Sequence, residues 1–172
     1  MLKEFKPALL FVTKFLIIYF IGNVIYGLYV ESFGEKPDVL TEWVTEQSVQ
    51  ILNTTGQSTE VYCDEQAPKV HIVTENRAVI SVYEGCNGVN VFVIFIAFVI
   101  AYGGNYKNLL WFIPLGLVGV HVANLLRIVM LYFVAEYFPN YMYFTHKFLF
   151  TGFIYAFVLA LWYGWVIIWS KK

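Results

Sequence analysis

Along the chain, long apolar runs alternate with short polar breaks, and one polar stretch is far longer than the rest. The apolar runs cover residues 8–30, 86–102, 109–133 and 147–169. Each approaches the roughly 20 residues with which a helix crosses a hydrocarbon core of about 30 Å. The second is the shortest: its apolar part, Val89 to Tyr102, needs the preceding Cys86, Asn87 and Gly88 to complete a span. The pattern predicts an all-α integral membrane protein of about four transmembrane helices, with a small extracytoplasmic α+β insertion between helices 1 and 2. Residues 1–172 form a single membrane domain in this reading. The first run is too long for a signal-peptide core and no small-x-small cleavage site follows it, so it is read as a retained helix. Pro114, inside the third run, is expected to kink it.

Residues 31–85 have a different character. Acidic residues dominate, with Glu31, Glu35, Asp38, Glu42, Glu46, Glu60, Asp64, Glu65 and Glu75 set against Lys36, Lys69 and Arg77. Leu40, Trp43, Val44, Gln47 and Ile51 recur at helical spacing, and Pro37 suits the first turn of such a helix. Trp43 is placed to rest this helix on the membrane surface. Beyond Asn53-Thr54-Thr55-Gly56 the pattern alternates, in Val70 to Val73 and again in Val79 to Val82. Glu75-Asn76 lies between these two runs, which predicts a hairpin. The segment is too short to bury a large core alone and is expected to pack down on the helix ends.

Charge fixes the expected orientation. Lys3, Lys6, Lys107, Lys171 and Lys172 fall on one side of four alternating helices, with Lys14 able to snorkel to it, and the acidic segment falls on the other. The lysine-rich side is cytoplasmic by the positive-inside rule. Composition agrees with a membrane setting: 59% of the chain is hydrophobic, 20% aromatic and only 13% charged. A net charge of −1 without a basic cluster argues against a nucleic-acid partner. Two cysteines, Cys63 and Cys86, form no CxxC and no cluster with histidine, so neither a disulfide scaffold nor a metal site is expected.

This topology brings three polar residues, distant in sequence, to similar depth on the outer side: Cys86 at the start of the second helix, Arg127 late in the third and His146 before the fourth. A cysteine nucleophile acts as thiolate, a form that a neighbouring cation favours. Arg127 is suited to binding the oxyanion made when a thiolate attacks a carbonyl. His146 is suited to holding the thiolate and then protonating a leaving amine. Blander alternatives stand beside these roles. Cys86 could be an inert buried hydrophobe or pair with Cys63. Arg127 could snorkel to headgroups, although an arginine in an apolar helix marks a functional site by default, and Asn124 lies one turn below it. His146 could be an interfacial histidine. His121 extends a polar stripe, His121-Asn124-Arg127, and is expected to hydrogen-bond within the bundle; His71 is expected to be solvated.

The run Cys86-Asn87-Gly88 at a helix start, then Asn124-Leu125-Leu126-Arg127-Ile128 late in the next helix, then His146 ahead of Gly152 and a last apolar helix, resembles the exosortase/archaeosortase family. The resemblance covers roughly residues 84–160 and points to a short member, of the exosortase F type. One departure is Lys147, where the family often has an acidic residue after its histidine. The resemblance implies a cysteine transpeptidase of the cytoplasmic (inner) membrane, with its active site on the extracytoplasmic face. Its catalytic residues would be Cys86, Arg127 and His146, supported by Asn124, Asn87 and Gly88, with no cofactor. Its partners would be the lipid bilayer and exported proteins that end in a short motif, a transmembrane helix and a basic tail. Two rivals remain at this point: a membrane thiol oxidoreductase using Cys63 and Cys86, and a non-enzymatic membrane scaffold.

Overall fold

The computed structural model describes residues 2–64 and 67–169, so Glu65, Lys171 and Lys172 lie outside the described residues, as does the side chain of Lys3. Among the described residues three helical stretches are long and apolar enough to cross a membrane: Phe5–Glu31, Tyr106–Tyr137 and Pro139–Ile168. The chain is a mostly helical membrane protein. Helix α1 (Leu2–Glu31) begins six residues before the expected span and carries Pro7 near its start, at the cost of one backbone hydrogen bond. Helix α3 (Val89–Tyr102) corrects the second expected span: only 14 residues are helical, about 21 Å. Residues 84–86 are instead a 3-10 turn and Gly88 has a positive φ, so Cys86 precedes the helix. Helix α4 (Tyr106–Tyr137) outruns its expected bounds at both ends and passes through Pro114 without a break.

Small residues let these helices approach, as is usual where lipid supplies no hydrophobic drive. A Cβ on Gly22 of α1 would meet Val93 of α3 at 2.7 Å, and the ring of Phe95 on α3 fills the space over Gly116 of α4. Phe95, Val99, Phe112, Val120, Val158 and Trp165 form the membrane-level core. A second core lies beyond it, where Val44, Leu52, Ile72, Val82, Ile128 and Tyr132 pack together. Cys86 belongs to this outer core, near its junction with the first.

Helix α2 (Val39–Thr54) is where expected, but its start and its face both differ. Asp38 is the N-cap, accepting the amides of Leu40 and Thr41, so Pro37 precedes the helix instead of opening it. The buried face is Thr41, Val44, Thr45, Ser48, Val49 and Leu52, while Leu40 and Trp43 are exposed. Small hydroxyl residues can lie against the core because each satisfies itself locally: Thr45 donates to the Thr41 carbonyl and Ser48 to that of Val44. Leu40 and Trp43 are thereby left on the outer face, while Val44, Val49 and Leu52 share the buried one. The expected hairpin exists as β2 (Lys69–Thr74) and β3 (Arg77–Tyr83), with Glu75 and Asn76 both at positive φ, the geometry of a two-residue I′ turn. A further strand, β1 (Glu60–Cys63), pairs with β2 and makes a three-stranded antiparallel sheet ordered β1-β2-β3. Four residues were too few to register as an alternating run.

The last helical stretch is composite. A 3-10 turn (Pro139–Tyr141) leads into α5 (Met142–Phe144), a π-helical segment (Thr145–Phe150), α6 (Thr151–Gly164) and a second π segment (Trp165–Trp169). Helical structure therefore begins before residue 147 and includes His146.

Candidate active site

Strand β3 ends at Tyr83 and hands the chain to the Glu84–Cys86 turn, so the sheet itself carries the thiol into place. The Cys86 side chain is buried, and its Sγ lies 3.8 Å from Nε2 of His146, sixty residues away in sequence. Sγ–H···Nε2 and Nε2–H···Sγ are the two states of this contact, before and after proton transfer. The histidine is supplied by the Thr145–Phe150 π segment, where the wider coil takes its carbonyl out of the ordinary α pattern; Thr151 Oγ1 donates to that carbonyl at 3.1 Å. Short π segments recur at functional sites because they re-aim one side chain without ending the helix.

The cysteine turn is clamped from both sides. Asn124 of α4 donates from Nδ2 to the Cys86 carbonyl at 3.0 Å. Asn87, almost wholly buried, accepts the Val89 amide at 3.0 Å and so opens α3. Its Nδ2 donates to the Tyr26 hydroxyl at 2.8 Å and to Thr41 Oγ1 at 3.1 Å, tying the turn to α1 and α2. Tyr26 in turn donates to the Glu84 carbonyl at 3.0 Å, and Thr41 to Asp38. Gly88 sits at φ +89, and a Cβ there would stand 3.2 Å from Cγ and Nδ2 of Asn124. Glycine is thus required twice, by the backbone and by the close approach of the asparagine.

Arg127 is 9% exposed, which places it inside the protein and away from lipid headgroups. Its charge is felt by both Tyr83 and His146, so it lies near them. Its Nε has no hydrogen-bond partner, and neither does Oδ1 of Asn124 one turn earlier. Buried polar atoms are ordinarily paired, so two unpaired ones a turn apart set this part of α4 apart.

The polar stripe on α4 separates, since each step of three residues turns it by about 60°. His121 bonds through Nε2 to Gln47 Oε1 at 2.7 Å and stacks on Trp43 with ring centres 4.9 Å apart; its partners are on α2, not in the bundle. His71 is half-buried rather than free in solvent: Nδ1 meets Ser81 Oγ at 2.8 Å, and Nε2 lies 3.6 Å from Asp64. Lys147 turns outward, donating to the Tyr143 hydroxyl at 2.8 Å. The two cysteines are both free thiols. Cys63 is exposed on β1 and bonds to Glu42 Oε1 at 3.6 Å; burial, with Glu42 and Glu46 nearby, pushes its thiol above the ordinary value.

Tyr83 is a site residue that sequence reasoning missed. Its ring covers Gly85, where a Cβ would meet Cε2 at 2.7 Å, and its phenol lies within electrostatic reach of the Cys86 sulfur. Interaction with that sulfur, its charge foremost, raises the phenol above its ordinary value, burial adds to this, and Arg127 opposes it. The phenol therefore keeps its proton and remains a donor. Thirteen tyrosines in the chain left nothing to single this one out.

Beside Cys86 and His146 opens a cavity of about 360 Å³, walled by β3 on one side and by Ile128, Leu131 and Ala135 of α4 on another. A buried thiol and an imidazole in contact with it thus line a largely apolar pocket large enough for part of a peptide, with Tyr83 and Arg127 nearby. A family model described as transmembrane exosortase matches residues 5–164 of the chain. No curated protein and no solved structure matches it.

Proposed function

The chain belongs to the transmembrane exosortase family, and from that premise we propose that it is a cysteine transpeptidase acting on exported proteins that end in a transmembrane sorting signal. The observation that carries the reading is the 3.8 Å contact between Cys86 Sγ and His146 Nε2, at the end of a cavity open to a peptide. His146 takes the thiol proton. The thiolate attacks the carbonyl carbon of the scissile bond, and the electron pair moves to the carbonyl oxygen. Arg127, with an unpartnered Nε, receives that oxyanion. As the oxyanion collapses, the C–N bond breaks, and the imidazolium gives its proton to the departing amine. An amine or water then attacks the Cys86 thioester, loses its proton to His146 and releases the thiolate. Tyr83 donates to the sulfur while it is charged.

The site lies on the extracytoplasmic face of the cytoplasmic membrane in this proposal, and the chain crosses four times. Helix α4 is 32 residues, about 48 Å, well beyond a hydrocarbon core of about 30 Å. With Lys107 at the cytoplasmic boundary, about 20 residues bring the helix to the level of Arg127. The remaining turns project outside, where α2 and the sheet rest on them. Cys86 then sits at the outer boundary, level with the bond that joins an exported domain to its membrane anchor.

The test is an adduct. A tagged exported protein of the same cell, ending in a short motif, an apolar helix and a basic tail, is co-expressed as reporter. Wild-type enzyme is expected to form a hydroxylamine-sensitive conjugate with it, lost in Cys86→Ala and retained in Cys63→Ser. A conjugate that survives Cys86→Ala contradicts the proposal.

A further inference from the structure

Among the described residues the sheet is ordered β1-β2-β3, so its two edge strands, β1 and β3, each have a ladder partner on one side only. Open edges are normally blunted or covered, since a row of free N–H and C=O groups invites another strand. The β3 edge faces the cavity. Ile80 and Val82 point to the core and Ser81 to the opposite face, yet all three line the same cavity. Side chains alternate across a strand, so one cavity touches three consecutive residues only by running along the strand's edge. Val79 adds a bulge: Ile72 pairs with Ile80 and Val73 with Ala78, leaving Val79 as the extra residue. Bulges of this kind recur next to active sites.

The direction of this edge is also defined. Cys86, just beyond the C-terminal end of β3, is bonded to Asn124, while Arg77 at the N-terminal end holds Glu136 at 2.6 Å. The strand and α4 therefore run in opposite directions, and the cleft between them leads from the Arg77–Glu136 pair down to the thiol. Residues 79–82 span about 13 Å, the length of four extended residues. That length suits an extended segment laid along the strand.

We propose that the free edge of β3 is the substrate subsite: the segment preceding the exported protein's transmembrane helix adds to it as a fourth strand and so brings its scissile carbonyl to Cys86. This rests on the transpeptidase reading and deepens it. The hydrogen bonds come from backbone, so they hold many sequences. Selectivity comes from every second side chain, which meets Ile128 and Leu131 and is therefore apolar; the intervening ones point away from α4.

Two measurements on the reporter test this. In the first, successive residues ahead of its transmembrane helix are replaced singly by proline, and cleavage by unaltered enzyme is followed. Loss of an edge hydrogen bond should slow cleavage about fivefold to tenfold at alternate positions, with smaller effects between them. In the second, Ser81→Cys is placed in a Cys63→Ser/Cys86→Ala enzyme, and single cysteines are walked through six reporter positions under oxidation. Disulfides are expected at every second position. A flat profile, or one repeating every three or four residues, overturns the added strand. If the Cys86 conjugate still forms in that case, the transpeptidase reading stands without it; if no conjugate forms, both fall.

Discussion

Gly88→Ala probes how the thiol is held. At φ +89 an L-residue costs about 1–2 kcal/mol relative to glycine. The new Cβ would also stand 3.2 Å from Asn124 Cγ and Nδ2, closer than ordinary contact, so the asparagine must retreat by a few tenths of an ångström. Its 3.0 Å bond to the Cys86 carbonyl then lengthens, and much of the roughly 0.5–1.5 kcal/mol such a bond contributes is lost. The total is about 2–3 kcal/mol, or a fall in Tm of roughly 4–12 °C for a chain of this size. Gly56→Ala is the control, because Gly56 has φ +90 and open space around it; it should show the backbone cost alone. Asn124→Ala removes the clash and the bond together, so the double variant should lose less than the sum of the singles. Thermal unfolding in detergent, followed by tryptophan fluorescence, reads the stabilities. Reporter cleavage reads the consequence for the thiol, where a small displacement is expected to cost at least about tenfold. Equal losses in Gly56→Ala and Gly88→Ala, with an additive double variant and normal cleavage, would refute the reasoning.

Arg127→Lys should fold and insert but cleave at least about a hundredfold more slowly, because an ammonium cannot reproduce the guanidinium fork; near-normal cleavage removes Arg127 from the chemistry. Tyr83→Phe keeps the ring over Gly85 and loses only the donor to the sulfur, so cleavage should fall about fivefold to tenfold with Tm unchanged. Cys63 has a raised thiol, so in Cys86→Ala its alkylation should be slow at neutral pH and climb about tenfold per pH unit into the alkaline range; fast labelling at pH 7 contradicts this. A cysteine at Asn105 should resist impermeant reagents in intact cells, and labelling from outside would invert the topology.

The resemblance read from Cys86-Asn87-Gly88, Asn124 to Arg127 and His146 agrees with the family match over residues 5–164. That much was legible because apolar run lengths and short motifs are local properties of the chain. Hairpin and turn were legible for the same reason: Glu75-Asn76 between two alternating runs needs no distant partner. What the tertiary structure decided is what distant partners decide. Leu40 and Trp43 of α2 are large and apolar, yet they are exposed while Thr41 and Ser48 face inward, because hydroxyls that bond locally fit against the core. Tyr83 became a site residue only when its strand met the Cys86 turn, and the free edge of β3 became a candidate subsite only when β1 took the other side of β2. The sequence by itself determined that the chain is a mostly helical membrane protein of this family and named three residues worth bringing together. Their 3.8 Å meeting, the clamps around it and the cavity beside it came from packing among α1, α2, α4 and the last helix, which no periodicity within a single segment encodes.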